Sequence, residues 1–161
     1  MSAAGKRDVA LKLREILSPK HVLADLKGRT RDDVIQELIA AVKDEVPAPA
    51  DRLTAILVER EDQSPTAMSG GVAVPHGRIQ ELDRFIMALG RSRIGVPFGD
   101  DEGNTNIFFL VLAPTDDTVT HLKILARIAR ISRNSELRGQ ILAARTAGEI
   151  FDLLMKEDAG T

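Results

Sequence analysis

The chain has 161 residues, of which 43% are hydrophobic, and this length and composition are typical of one globular domain with its own core. Its 22 lysines and arginines against 24 aspartates and glutamates leave no basic field for a nucleic acid. The lack of cysteine excludes disulfides and thiolate metal sites, and the N-terminal segment has no apolar run for a signal peptide or membrane span. We expect a cytoplasmic, non-inserted, single-domain protein (1–161), ordered over about 10–156 with loose termini.

Apolar spacing in the first half predicts three helices and one strand. Residues 11–17 predict a short amphipathic helix that ends at Ser18-Pro19, and 21–26 predict a short strand. Thr30 is suited to cap a helix that ends before Pro47. A further helix is expected to begin after Pro49 and to run to about Arg60.

The second half predicts three strands followed by three helices. Residues 70–78 indicate a brief strand opening into a loop, and 84–92 and 106–114 indicate two longer strands. The last of these is apolar enough to be the central strand. The helices are expected after Pro114 and at about 134–144 and 147–156, the first with apolar residues Leu122, Leu125, Ile128, Ala129 and Ile131. The predicted fold is an α/β single-domain sandwich, a mixed β-sheet flanked by helices on both faces.

His76 is the first candidate for chemistry. It follows Pro75, which restricts the backbone, and precedes Gly77, which permits a turn, so its imidazole is expected to be held rigidly at the end of a strand. A neutral imidazole is a good nucleophile near pH 7 and can attack a phosphoryl group. The alternative from these residues alone is a loop histidine without a function.

A polar, glycine-containing loop leads to His76. Its hydroxyls and backbone N–H groups can bind phosphate oxygens, and Arg60 can neutralise phosphate charge, unless it is only a solvated residue at a helix end. The candidate phosphate-binding residues of this loop are Thr66, Ser69, Gly70 and Gly71.

Two motifs carry a resemblance to a known family. The stretch from Arg60-Glu61 to Pro75-His76-Gly77 resembles the active-site region of enzyme IIA domains of the phosphotransferase system, in the fructose, mannitol and nitrogen-regulatory class. Further on, LVLAPTDDTVTHLKILARIARI resembles the family's second signature, in which a histidine-leucine pair opens a helix. The resemblance covers about residues 10–156.

This resemblance implies roles for the candidate residues. His76 is the phosphoryl acceptor, His121 stabilises the phosphohistidine, and Arg60 neutralises charge, with no metal and no cofactor. Ala67 and Ser69 stand where the family has glycines, so we expect a strained loop if Ala67 requires a positive φ. His21 lacks such a setting and is expected to be structural.

The implied function is that of a phosphocarrier. The donor is HPr or its nitrogen-branch homologue, and the acceptor is a IIB domain or a regulated target protein. The lack of fused segments favours the nitrogen-regulatory type. The alternatives are a IIA component of a fructose- or mannitol-type permease and a binding module that keeps the fold but accepts no phosphate. A metal-dependent hydrolase is disfavoured, because no carboxylate-histidine cluster has ligand spacing.

Overall fold

A computed structural model describes residues 11–99 and 103–160 of the chain. Short 3₁₀ turns occur at Leu13–Glu15 and Lys43–Glu45. None of the helices in these two ranges is both long enough and apolar enough to cross a bilayer. The main elements, in chain order, are β1 (Leu17–Leu23), α1 (Arg31–Val42), α2 (Ala50–Gln63), β2 (Val72–Ala73), β3 (His76–Arg78), β4 (Ile86–Pro97), β5 (Asn104–Ala113), α3 (Thr118–Ser132), α4 (Ser135–Ala143) and α5 (Ala147–Gly160).

The sheet is mixed, and β5 lies at its centre. The strand order is β1-β4-β5-β2, with β3 also paired to β5. β5 runs antiparallel to β4 and parallel to β2 and β3. Every residue from Ile107 to Ala113 is buried, which confirms the prediction of a central strand covered on both faces.

The side chains of β5 alternate between two apolar clusters. Ile107, Phe109 and Val111 pack with residues of α3, α4 and α5, whereas Phe108 and Leu110 pack with residues of α1 and α2. The predicted α/β sandwich, with helices on both faces of one mixed sheet, is therefore confirmed.

The N-terminal prediction is wrong. Instead of an amphipathic helix over 11–17, there is one 3₁₀ turn at Leu13–Glu15. β1 begins at Leu17, so that Ser18-Pro19 lies inside the strand instead of before it. Proline is tolerated there because β1 is an edge strand, and its register with β4 shifts between Leu17 and Val22. Local apolar spacing could not reveal this bulged edge strand.

The remaining boundaries differ by a few residues. The cap on α1 is confirmed, because Asp33 N–H donates to Thr30 Oγ1 at 3.2 Å. α2 continues to Gln63 and α5 to Gly160, beyond the predicted ends. Leu122 is 61% exposed and does not belong to the buried side of α3. The predicted loose N-terminus falls on residues 1–10, which lie outside the described ranges.

A buried arginine fixes α4 to the sheet. Arg91 of β4 is 1% exposed, and its guanidinium donates to the carbonyl oxygens of Ile141 at 2.9 Å and Ala144 at 2.5 Å. Ile141 lies in the last turn of α4 and Ala144 is the residue that caps it, a region where carbonyl oxygens lack α-helical partners. The contact therefore anchors the C-terminal end of α4 beneath the sheet.

Candidate active site

His76 is presented by a short strand at the edge of β5. It is the first residue of β3, opposite Val111, rather than a loop residue after a single strand. Gly77 has no positive φ, and a Cβ there would lie 2.6 Å from Leu57 Cδ2 of α2. Close packing on α2, rather than a turn, thus requires this glycine. Because side chains alternate along a strand, His76 and Arg78 face the opposite side, toward α3.

His121 meets His76 from the first turn of α3. Asp117 caps the helix by accepting a hydrogen bond from Thr120 N–H at 3.1 Å. The His121 side chain is buried, and its ring centroid lies 5.4 Å from that of His76 in an edge-to-face arrangement. Phe85 covers another side of His121, with ring centroids 6.3 Å apart. The structure therefore brings together the two histidines that the sequence motifs singled out.

The tautomer of His76 is fixed by a backbone contact. Its Nδ1 lies 2.7 Å from the carbonyl oxygen of Val74. Since a carbonyl oxygen only accepts hydrogen bonds, Nδ1 carries the proton and Nε2 keeps its lone pair in the neutral ring. Burial lowers the pKa of His76, against the contrary effect of this hydrogen bond, and the nearby charges of Arg60 and Arg78 lower it further. The neutral ring is the favoured form at pH 7.

His121 is held neutral even more strongly. Burial, then the neighbouring His76, Arg78 and Arg60, lower its pKa to about 4. Within the described part of the chain its Nε2 is buried and has no hydrogen-bond partner. A buried imidazole nitrogen without a hydrogen-bond partner destabilises the folded protein. A ligand that formed a hydrogen bond with this nitrogen would therefore be bound more tightly.

A buried carboxylate supports the segment that leads to His76. Glu61 accepts hydrogen bonds from Thr66 N–H at 2.6 Å and Thr66 Oγ1 at 3.0 Å, and Val74 N–H donates to Thr66 Oγ1 at 3.1 Å. Burial raises the pKa of Glu61 against these hydrogen bonds. The hydroxyl of Thr66 is therefore engaged in holding Val74, which in turn holds His76.

Two arginines lie within electrostatic reach of both histidines. Arg60, near the end of α2, donates to the Ser64 carbonyl oxygen at 2.9 Å, and Arg78 is exposed on β3. Both lower the pKa of His76 and of His121. Arg60 thus lies where the sequence motif predicted a basic group.

The rest of the predicted phosphate loop lies elsewhere. Gly71 directly precedes Val72, which pairs with Ile107, whereas His76 pairs with Val111, four residues further along β5. That separation corresponds to roughly 13 Å along the strand. Ser69, Gly70 and Gly71 are therefore not brought to His76, and of the four loop residues only Thr66 lies beside the histidine segment.

Ala67 is not strained. No residue other than glycine in the described ranges has a positive φ, and the loop turns instead at Gly70, with a φ of 94°, and Gly71, with a φ of 79°. Ala67 also packs against the apolar cluster of α1 and α2. The strain considered for this position is absent, because the two retained glycines supply the left-handed conformations.

Comparison with known proteins agrees with this geometry. A model of the family described as "Phosphoenolpyruvate-dependent sugar phosphotransferase system, EIIA 2" matches residues 15–157. The chain belongs to this family. As an EIIA protein it is a phosphotransferase component, and it is 30% identical over 143 residues to a nitrogen regulatory protein of Bradyrhizobium diazoefficiens, covering 88% of this chain and 94% of that protein.

Other relatives of this EIIA protein include both branches of the family. It is 27% identical over 151 residues to the fructose-specific EIIABC component of Bacillus subtilis, of which it covers 24%. The crystal structure of nitrogen regulatory protein IIA-Ntr from Neisseria meningitidis aligns with a TM-score of 0.83 at 25% identity, covering 88% of this chain and 98% of that one. The Escherichia coli mannitol IIA structure aligns with a TM-score of 0.70 at 19% identity and shares the fold.

Two neighbours of the histidine pair, Arg78 and Phe85, were not predicted from the sequence of this EIIA protein. Arg78 follows His76 by two residues, and the strand period of two would have placed both side chains on one face. Phe85 precedes β4 and carried no local signal, because only the packing of β4 against α3 brings it to His121.

The conformation of Ala67 leads to a stability prediction for the EIIA protein. We expect Ala67→Gly to lower the free energy of unfolding by about 0.4–1 kcal/mol, because glycine gains backbone freedom in the unfolded chain and relieves no strain. Urea denaturation of the two proteins measures the difference. A variant as stable as the parent, or more stable, would contradict the ordinary backbone conformation at this position.

The depressed pKa of His121 predicts a dependence of stability on pH. A histidine with a folded pKa of about 4 binds fewer protons in the folded state than in the unfolded state, where its pKa is about 6.5. Its contribution is complete above pH 6.5 and is lost as the pH falls toward 4. Relative to His121→Gln, the free energy of unfolding of the parent should fall by up to about 3 kcal/mol between pH 6.5 and pH 4.

Urea denaturation of both proteins between pH 4 and pH 7 measures this difference. Titrating groups that do not interact with His121 are common to both proteins and cancel in the comparison. Parallel curves for the two proteins would show that His121 titrates with an ordinary pKa.

Proposed function

We propose that this chain is a phosphocarrier that accepts a phosphoryl group on Nε2 of His76. The observation that carries this proposal is the hydrogen bond from His76 Nδ1 to the Val74 carbonyl oxygen, which leaves Nε2 as the nucleophilic nitrogen. Membership of the EIIA family supports the same role. The donor is the phosphohistidine of HPr or of its nitrogen-branch homologue.

The transfer is a displacement at phosphorus. Nε2 of His76 forms the new N–P bond as the donor's N–P bond breaks, and the electron pair of that bond returns to the donor nitrogen. His76 keeps its Nδ1 proton, so the phosphorylated ring becomes cationic and its hydrogen bond to Val74 strengthens. The reaction needs positioning and charge neutralisation, which the folded chain supplies without a metal or cofactor.

The surroundings of His76 stabilise the transferred group. Arg60 and Arg78 offset the phosphoryl charge, as their effect on the two histidines indicates. His121 lies close to His76, and its Nε2 has no other hydrogen-bond partner among the described residues. An imidazole N–H of His121 donates to a phosphoryl oxygen. Glu61 and Thr66 hold the Val74 segment that positions His76.

The surface around the site suits a protein donor. Val119 and Leu122 are 58% and 61% exposed in the first turns of α3, the helix that carries buried His121. Three residues apart, they share one face of the helix, and exposed apolar side chains of this kind are typical of protein interaction sites. The carrier therefore docks on α3 and presents its phosphohistidine to His76.

The nitrogen-regulatory branch is the favoured assignment. The Bradyrhizobium protein and the Neisseria structure, both named nitrogen regulatory proteins, match over 94% and 98% of their lengths. On this assignment the acceptor is a regulated target protein. The second candidate is a sugar-permease IIA that passes phosphate to a IIB domain, which the similarity to the fructose-specific Bacillus component favours.

Phosphorylation in vitro tests the acceptor. The chain incubated with phosphoenolpyruvate, enzyme I and HPr should gain one acid-labile, alkali-stable phosphoryl group by intact mass. His76→Ala should remain unlabelled and folded, because the ring supplies the nucleophile rather than core packing. His21→Asn is the matched control that removes a different histidine, and it should be labelled like the parent.

The outcomes separate the candidates. Labelling of His76→Ala would overturn the assignment of the acceptor, and a folded parent that takes no label from either donor would identify a binding module that retains the fold. Running HPr and its nitrogen-branch homologue in parallel compares the two branches, because the physiological donor should transfer faster.

Loss of His121 should slow transfer while sparing the acceptor. His121→Ala should still take the label, but transfer should fall by roughly ten- to a hundredfold, because one charge-assisted hydrogen bond to the phosphoryl group is lost. Rapid-quench measurement of transfer to and from HPr gives both rates. Parent-like rates in both directions would limit His121 to a packing role.

A further inference from the structure

The glycine loop that does not reach His76 lines a cavity of its own. This cavity, of about 360 Å³, lies between Ser69 and Gly70 on one side and the junction of α3 and α4 on the other, where Ser132, Arg133 and Arg138 line it. Its volume is within the range of small-molecule sites. His121 and Ser132 are eleven residues apart on α3, so the cavity lies roughly 16 Å from the histidine pair.

The lining of the cavity is cationic. Among the described residues it contains two arginines and two serines together with Met68 and Ala129, and no acidic residue. Across residues 11–99 and 103–160, neither Arg133 nor Arg138 forms an ion pair with a carboxylate. Uncompensated guanidinium groups facing one cavity favour an anion, and their fork of donors matches a phosphate group.

The position of Arg138 is built into the fold. Gly70 has a φ of 94°, and a Cβ there would lie 2.8 Å from Arg138 Cζ, so this glycine lets the guanidinium lie against the loop backbone. Arg138 Nη1 donates to the Ser132 carbonyl oxygen at 2.6 Å. A guanidinium has five N–H donors, so this contact leaves others for a ligand.

The Ser132 hydroxyl is a further polar group next to the cavity. Ser132 is 7% exposed, and its Oγ has no hydrogen-bond partner among the residues that the structure describes. A buried hydroxyl normally has a partner, and Ser132 is one of the residues that line the cavity. A change of the Ser132 side-chain rotamer would let this hydroxyl donate to an oxygen of a bound anion.

We propose that this cavity is a second anion site, which binds the phosphate group of a small phosphate monoester. Arg133 and Arg138 bind the phosphate oxygens, and the Ser69 and Ser132 hydroxyls donate to them. Met68 and Ala129 contact the less polar body of the ligand. The site is separate from His76 and requires no phosphoryl transfer.

Titration followed by amide NMR shifts tests the site. The probes are inorganic phosphate, a hexose phosphate and a nucleoside monophosphate, with the unphosphorylated sugar and nucleoside as controls. We expect saturable shifts centred on residues 68–70 and 132–138 with at least one monoester, and none with the unphosphorylated controls.

Four variants locate the binding. Arg138→Gln and Arg133→Gln should each weaken binding by roughly ten- to a hundredfold, because each removes charge-assisted hydrogen bonds. Arg130→Gln is the matched control. Arg130 is exposed in the last turn of α3, three residues before Arg133, and does not line the cavity. Arg130→Gln and His76→Ala should both retain parent affinity. Because Arg138 also contacts α3, the exposed Arg133 supplies the variant that leaves this hydrogen bond intact.

The proposal is overturned by any of three results. The first is that no phosphate probe gives saturable shifts. The second is that Arg130→Gln weakens phosphate binding as much as Arg133→Gln does, which indicates nonspecific attraction. The third is that the shifts centre on His76 and disappear in His76→Ala. The last result would place the phosphate at the histidine pair and leave the proposed phosphocarrier function intact.

Discussion

The burial of β5 on both faces is the constraint on which the rest of this structure depends. A strand without an exposed face must be covered by helices on each side, and its alternating side chains divide the core between α1-α2 and α3-α5. β5 also fixes the register of β3, so it determines where His76 lies. Because α3 begins soon after β5 ends, the same strand delivers His121 to the same edge.

The reactivity proposed for the histidine pair follows from burial and backbone contacts. Burial and nearby cations keep both rings neutral, and the Val74 carbonyl chooses the tautomer of His76. The arginines that disfavour imidazolium also favour a phosphoryl group, since both effects come from the same positive charge. Phosphorylation would bring negative charge next to Arg60 and Arg78, so the site gains electrostatic stabilisation when it is loaded.

Glycines in this chain serve close packing as much as backbone freedom. Gly77 leaves room for Leu57 of α2, and Gly70 leaves room for the guanidinium of Arg138; of these two glycines, Gly70 has a positive φ and Gly77 does not. The same loop therefore connects two polar regions. Its first part, through Thr66 and Glu61, supports His76, and its last part lines the cationic cavity at the other end of α3.

The sequence by itself determined the fold class, the central strand, the capped helix α1 and the histidine motifs, because apolar periodicity and side-chain chemistry are local properties. It did not determine the irregular edge strand β1. Proline is tolerated in a strand at the edge of a sheet, and only the pairing of β1 with β4 shows that Pro19 lies at such an edge. Three contacts were decided by the tertiary structure alone. Thr66 donates a hydrogen bond to Glu61, and Phe85 covers His121. Ser69 and Gly70 line the cavity with Arg138 and do not lie beside His76. Each of these depends on strand register or helix packing, which bring distant residues together at distances that the order of residues along the chain does not specify.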